Sequence, residues 1–202
     1  MKSFLRAFSV LSGIFLALTP AFAANNKVAL SLESGKKTLM RIVTVAGQGG
    51  DFSDPVAAVE SILDASETNP YLVQIEPGVY PLSRPLAMKP FVTIAGAGQE
   101  ETLLTGAVST FSYNESSALI IGADHATLRQ ITIENTGGGG VSITLYNKGV
   151  SPVLEGVTVK ASGGRFNYGI YNEHPSSPVM TDVTTKAIGG SYHYGVYNAS
   201  PP

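Results

Sequence analysis

The chain has no cysteine, few charged residues (14%) and no later apolar stretch approaching the roughly 20 residues that a transmembrane helix needs. Without cysteine there is no disulfide framework, so stability must come from side-chain interdigitation alone. There is also no site for a lipoprotein-type anchor. Basic residues are scarce and scattered, which gives no footprint for nucleic acid or for an anionic membrane. Glycine, by contrast, is abundant at 22 of 202 residues. Much glycine with little charge suits a protein of strands and turns better than a helical one.

The first residues read as an export signal. Lys2 and Arg6 precede an apolar run from Val10 to Leu18, then Pro20 and the small-x-small triplet Ala21-Phe22-Ala23. Cleavage after Ala23 is expected, placing residues 24–202 in one mature domain, secreted or periplasmic. The whole chain carries 13 basic and 15 acidic residues. Removing Lys2 and Arg6 leaves 11 against 15, a net charge of −4.

An internal repeat dominates the rest. Leu128-Arg129-Gln130-Ile131-Thr132-Ile133 returns as Leu154-Glu155-Gly156-Val157-Thr158-Val159 and as Met180-Thr181-Asp182-Val183-Thr184-Thr185, in steps of 26. Gly137-Gly138, Gly163-Gly164 and Gly189-Gly190 keep the same step, and Ser151-Pro152 returns as Ser177-Pro178. Leu145-Tyr146-Asn147 returns as Ile170-Tyr171-Asn172 and Val196-Tyr197-Asn198, at steps of 25 and 26. Each unit holds short runs of Val, Ile, Leu, Thr and Tyr, too short for helices and punctuated by Gly, Asn and Ser-Pro. A unit of this length makes one circuit of short strands, and the next circuit stacks on it at about 4.8 Å in parallel. The crossover rule makes the coil right-handed. A leucine-rich repeat lacks its L-x-x-L-x-L spacing here, and a propeller blade needs about 40 residues. The expected fold is therefore all-β: a right-handed parallel β-helix, a solenoid of about 26-residue coils.

Alternation assigns the faces. Leu128/Leu154/Met180, Ile131/Val157/Val183 and Ile133/Val159/Thr185 form inward columns. In the other strand Ile143/Tyr168/Tyr194 and Leu145/Ile170/Val196 point in, and Tyr146/Tyr171/Tyr197 point out. Asn147, Asn172 and Asn198 close the strand end, where stacked asparagines are expected to form a hydrogen-bonded ladder. Upstream, Asp54-Pro55 reads as an N-cap with proline at N1. Val56, Val59, Ile62 and Leu63 form the apolar stripe of a short N-terminal helix ending near Ala65, which would cover the open end of the solenoid. Strands are expected at Tyr71–Ile75, Val79–Tyr80, Phe91–Ile94 and Leu103–Leu104.

Several of these segments also resemble a known family. Val45-Ala46-Gly47-Gln48-Gly49-Gly50-Asp51-Phe52-Ser53, the helix, and Val73-Gln74-Ile75-Glu76-Pro77-Gly78-Val79-Tyr80 are similar to the start of pectinesterases and of the wider pectin lyase-like superfamily. Phe91-Val92-Thr93-Ile94-Ala95-Gly96-Ala97-Gly98 and Ile131-Thr132-Ile133-Glu134-Asn135-Thr136 continue the likeness, which covers roughly residues 44–136. It implies the same right-handed β-helix. The catalytic residues that it implies are missing. The family places an oxyanion-holding glutamine shortly after the Asn-Thr segment, then two aspartates on successive coils and an arginine. Here Asn135-Thr136 runs into Gly137–Gly140, Val141 and Ser142. The coil Val157–Gly164 has no aspartate, and Asp182 is the only one after Asp124. Acid/base work on one substrate atom needs two carboxylates in reach.

Other chemistry is equally thin. Glu155 and Asp182 lie one column apart and Arg165 at a turn, short of the ligand number that calcium requires. His174 and His193 do not align in the repeat, so no metal and no cofactor are expected. Gly47–Gly50 lacks the Gly-Lys-Ser/Thr of a phosphate loop. Tyr146, Tyr171 and Tyr197 are the best candidates for contact with a ligand, as a row of rings suited to sugars, or else they stack on one another and stiffen the sheet. The expected function is a noncatalytic exported β-helix that binds polysaccharide or serves as a surface scaffold. The alternatives are a polysaccharide-degrading enzyme whose active residues are lost or lie beyond this chain, and a self-assembling structural or adhesin fragment. Asn198-Ala199-Ser200-Pro201-Pro202 overlays Asn172–Pro178, so the repeat stops mid-unit. Truncation, pairing of the open coil with another subunit, or blunting by the two prolines would each account for that.

Overall fold

A computed structural model describes residues 27–33 and 36–199, with side chains from Met40 onward. The expected signal segment, 1–23, and residues 200–202 lie outside the described residues. β1 (Lys27–Glu33) and β2 (Lys36–Val45) form an antiparallel hairpin. The chain continues through α1 (Pro55–Ser61), β3 (Tyr71–Ile75), β4 (Gly78–Pro81), β5 (Leu86–Ala87), β6 (Val92–Ala95) and β7 (Thr102–Gly106). A 3-10 turn at Glu115–Ser117 precedes β8 (Ala118–Ile121), β9 (Thr127–Asn135), β10 (Val141–Lys148) and β11 (Val153–Ala161). The last strands are β12 (Phe166–Glu173), β13 (Val179–Thr181), β14 (Thr184–Ala187) and β15 (Tyr192–Ala199). No helix among the described residues is long and apolar enough to cross a membrane.

From β2 onward every ladder is parallel and the strands wind into a right-handed β-helix of about six turns. The wall has three faces. The first stacks β2, β3, β6, the start of β9, the start of β11 and β13. The second stacks β4, β7, the remainder of β9 and of β11, and β14. The third stacks β5, β8, β10, β12 and β15. One residue per coil turns the first face into the second: Gln130, Gly156 and Asp182, at φ 52°, 58° and 51°. This is the left-handed region that L-residues with a Cβ adopt at a cost, and the corner repeats every 26 residues as the sequence does.

The register matches the repeat residue for residue. Leu128 pairs with Leu154 and Leu154 with Met180, Ile131 with Val157, Ile133 with Val159. Leu128, Leu154, Ile131, Val157, Ile133 and Val159 are fully buried, each worth about 1.5–3 kcal/mol of transfer free energy. Met180 departs from this: it is 42% exposed, because β13 is paired on one side only among the described residues.

The third face departs from alternation. Ladder pairs join Ile143 to Tyr168 and Leu145 to Ile170, but skip Thr144 and Gly169. At this break two consecutive residues turn inward. The Thr144 hydroxyl donates to the Lys160 carbonyl at 2.6 Å, and Leu145 joins the main core with Ile170. Gly169 and Gly195 continue the Thr144 position, and a Cβ on Gly169 would lie 2.5 Å from the Gly195 carbonyl oxygen. Ile143 and Tyr168 therefore do not line the main core as alternation implied. They form a second cluster with Tyr146, Tyr171, Val141 and Ala118 outside the wall, and Tyr194 stacks on Tyr168.

The helix is shorter than its stripe suggested. Asp54 accepts from the Val56 N–H at 2.9 Å and Pro55 opens the first turn, a cap worth about 1 kcal/mol. Pro55, Val56, Ala58 and Val59 are buried. The helix stops at Ser61, where Ile62 becomes extended and its N–H bonds to the Val59 carbonyl. Ile62 is still buried, but Leu63 swings outward to 89% exposure.

Candidate functional site

On the outer side of the third face the rings stack along the solenoid axis, one coil on the next. Phe166 and Tyr192 are parallel with centroids 5.0 Å apart, and Tyr168 and Tyr194 lie at 5.4 Å. Tyr146, Tyr171 and Tyr197 follow at 5.7 and 5.1 Å with tilts of 35° and 37°. The tyrosines of neighbouring columns also meet edge to face, Tyr168 with Tyr171 and with Tyr197. Each ring face is therefore covered by the next coil. Among the described residues the faces of Tyr192, Tyr194 and Tyr197 are open, the first two at 50% and 40% exposure. Tyr146 and Tyr171 are buried at 1% and 8%, so of the three tyrosines singled out in the sequence Tyr197 alone is half-exposed.

A long loop between β7 and β8 runs along this layer. It is joined to the wall by paired backbone bonds between Thr110 and Val141. Its Tyr113 meets Phe166 and Tyr168 edge-on at 5.6 and 6.0 Å, and its Phe111 stands clear at 90% exposure. Asn135 holds the root of the loop. Its amide donates to the carbonyls of Val108 and Ile143 at 2.8 Å each, and its oxygen accepts from the N–H groups of Val108 and Gly137. Asn167 does the same for the next corner, bonding Gly164 twice and the Gly189 carbonyl. Both asparagines are fully buried.

At the far end of the layer lies a carboxylate, Glu173, that no motif in the sequence marks. The Tyr146 hydroxyl donates to Glu173, and Lys148 Nζ lies 3.3 Å from the same carboxylate. The bond from Tyr146, then Lys148, holds Glu173 below the ordinary carboxylate range. Burial, followed by the Glu173 hydrogen bond, pushes the Tyr146 phenol far up, and Glu115 on the loop adds to it. Tyr168 is raised chiefly by burial. These phenols stay protonated and keep an O–H to donate. The signal available in the sequence was register: Glu173 pairs with Lys148 across the ladder.

Beside the tyrosines, Asn147 Nδ2 donates to Asn172 Oδ1 and Asn172 Nδ2 to Asn198 Oδ1, both at 2.8 Å. Of the remaining candidates, Glu155 pairs with Thr181 in the ladder, one position from Asp182. His193 pairs with Asn167, and His174 lies in the turn after β12. Arg165 lies over the Phe166 ring at 5.4 Å.

No family model matches the chain and no curated protein is similar to it at a significant level. Solved structures do match. A pectin methylesterase mutant crystallised with a hexasaccharide superposes with a TM-score of 0.51 at 14% identity, over 70% of this chain and 48% of that one. The fold is that of the pectin methylesterases. Pectin methylesterase PemA from Erwinia chrysanthemi matches at TM-score 0.45 and 13% identity, over 73% of this chain and 66% of its own. A Geobacillus virus protein, ORF18, matches at 0.44 and 12%, over 79% and 42%. The chain thus spans about half the length of the pectin methylesterase in the hexasaccharide complex. At these identities the likeness carries the fold, and function has to be argued from the site.

Proposed function

We propose that this chain is an exported, noncatalytic β-helix that holds polysaccharide along the outer tyrosine layer of its third face. The observation that carries the reading is the set of exposed rings on this one layer: Phe111 stands free and Tyr113, packed edge-on against Phe166 and Tyr168, is half-exposed on the loop, while Tyr194 and Tyr197 keep open faces on the wall, with the Glu173 carboxylate at its end. Aromatic faces supply apolar area for the C–H faces of sugar rings, and phenols and a carboxylate supply directional bonds to hydroxyls. Tyr146 and Tyr171 serve the site from beneath by fixing the exposed rings. Affinity electrophoresis through gels containing pectin or other polysaccharides tests this. Retardation that is lost in Phe111→Ala, Tyr113→Ala and Tyr197→Ala is the expected result, and unretarded wild-type protein in every gel would refute it. A methanol-release or reducing-sugar assay run alongside should show no turnover. Turnover that vanishes in Glu173→Gln would make the chain an enzyme instead. The export half of the proposal rests on residues 1–23, and mass spectrometry of the exported protein should find Ala24 at its N-terminus. The apolar edge of the last described coil, with Val179, Met180 and Val196 exposed among the described residues, is a surface through which this chain would self-associate, and light scattering at several concentrations reads that directly.

A further inference from the structure

A second cleft lies on a different wall. On the outer side of the first face, Gln74, Ala95, Arg129 and Glu155 occupy one column in register on β3, β6, β9 and β11. Long polar side chains stand on the coils to either side of β6, while the β6 coil contributes Ala95-Gly96-Ala97. The result is a groove of about 360 Å³ whose floor is that small-residue segment. One wall is Gln74 and Glu76 and the other is Arg129, Gln130 and Glu155. Gly96 has a structural reason to be small, since a Cβ there would fall 2.4 Å from the Gln130 carbonyl oxygen. Ala95 has no comparable reason, because its column points outward and the neighbouring coils carry Gln and Arg at that position.

The polar groups around the groove are largely unspent. Gln74 donates to Glu76 at 3.2 Å. Arg129 is half-buried, and although Glu155 is its ladder neighbour, it makes no ion pair or side-chain hydrogen bond among the described residues. A guanidinium with five donors, two carboxylates and two amides therefore converge on one cleft. One positive charge against two negative ones disfavours an anion, and the absence of an aromatic ring from the lining disfavours an apolar ligand. Vicinal hydroxyls answer the set: they donate to Glu76 and Glu155 and accept from Arg129 and the amides. The volume lies at the small end of ligand pockets, enough for a short sugar segment.

We infer that the Ala95-floored groove on the first face is a binding subsite for an uncharged sugar unit, separate from the tyrosine layer of the third face. The test is NMR titration of the full chain with the methyl glycosides of glucose, galactose, mannose and xylose, and with galacturonate and calcium as charged probes. At least one neutral glycoside is expected to shift the amides of Ala95, Gly96, Ala97 and Arg129. Ala95→Gln, which fills the floor from an outward position, should abolish those shifts, and Arg129→Ala should weaken binding about tenfold. Unchanged melting of both variants keeps a folding defect from mimicking the result. Phe111→Ala and Tyr197→Ala should leave the titration unaltered, so loss of gel retardation and loss of this binding are read separately. No shift with any neutral glycoside, shifts that survive Ala95→Gln, or a response to galacturonate or calcium alone would each overturn the inference.

Discussion

Replacing Asn172 with Ala removes the middle rung of the asparagine column, and its cost can be worked from the two neighbours. Asn172 accepts from Asn147 and donates to Asn198, at 2.8 Å each. Asn147 is fully buried and its Oδ1 already lacks a partner. It faces Gly122 on the preceding coil, where a Cβ would lie 1.9 Å away. Losing Asn172 would orphan the Asn147 amide as well. A buried amide without a partner costs about 1–3 kcal/mol, and the lost bond to Asn198 about 0.5–1.5 kcal/mol. A total near 3 kcal/mol in a domain of this size should lower the melting midpoint by about 6–12 °C. Asn198→Ala removes one bond at an exposed position, so about 1 kcal/mol and a few degrees are expected. Thermal and urea unfolding followed by circular dichroism would read both, with the urea slope unchanged if only stability moves. Equal shifts for the two variants, or shifts under about 1 kcal/mol for Asn172→Ala, would show that the column is not stabilised by its rungs.

Three further outcomes follow from the same geometry. Val157→Asp places an unpaired charge in the solenoid interior and should cost several kcal/mol in urea unfolding, whereas Thr184→Asp on the exposed side should cost little; equal tolerance would refute the inward assignment. Glu173 has a depressed pKa in the fold, so its contribution is present above its unfolded value and fades as pH falls through its folded one. Melting temperature should therefore drop less on acidification in Glu173→Gln than in the wild type, and parallel curves would contradict this. Asp182 is exposed at φ 51°, where Gly156 sits in the preceding coil; Asp182→Gly should be neutral to stabilising by up to about 1 kcal/mol, and a clear loss would mean that its side chain matters more than its backbone.

Much of the wall was legible in one dimension because a solenoid is nearly one-dimensional: each coil contacts only its neighbours. A step of 26 residues places Leu128, Leu154 and Met180 in one column regardless of what surrounds them, and the observed ladders follow that step. The asparagine register and the N-capped helix start were readable for the same reason, since each depends on residues close in sequence or one period apart. The site was less legible. Glu173 carries no motif, and its importance appears only when Tyr146 reaches it from the previous coil.

The sequence by itself determined the coil length and the register, since these follow from the 26-residue step; the corner at Gln130, Gly156 and Asp182, which splits what reads as one strand into two faces, carries no residue type common to the three coils. Tertiary structure alone decided which side chains are covered. Thr144 and Leu145 both turn inward at a break in the ladder, a local rotation that a period of two cannot register. Tyr146 and Tyr171 point out of the wall yet are buried, because the rings of adjacent coils and the Tyr113 loop cover them. The groove at Ala95 exists only because coils some 20 to 35 residues away in the chain set long side chains on either side of it. Burial is a sum over neighbours from many parts of the chain, and a pattern read along one strand holds only its own share of that sum.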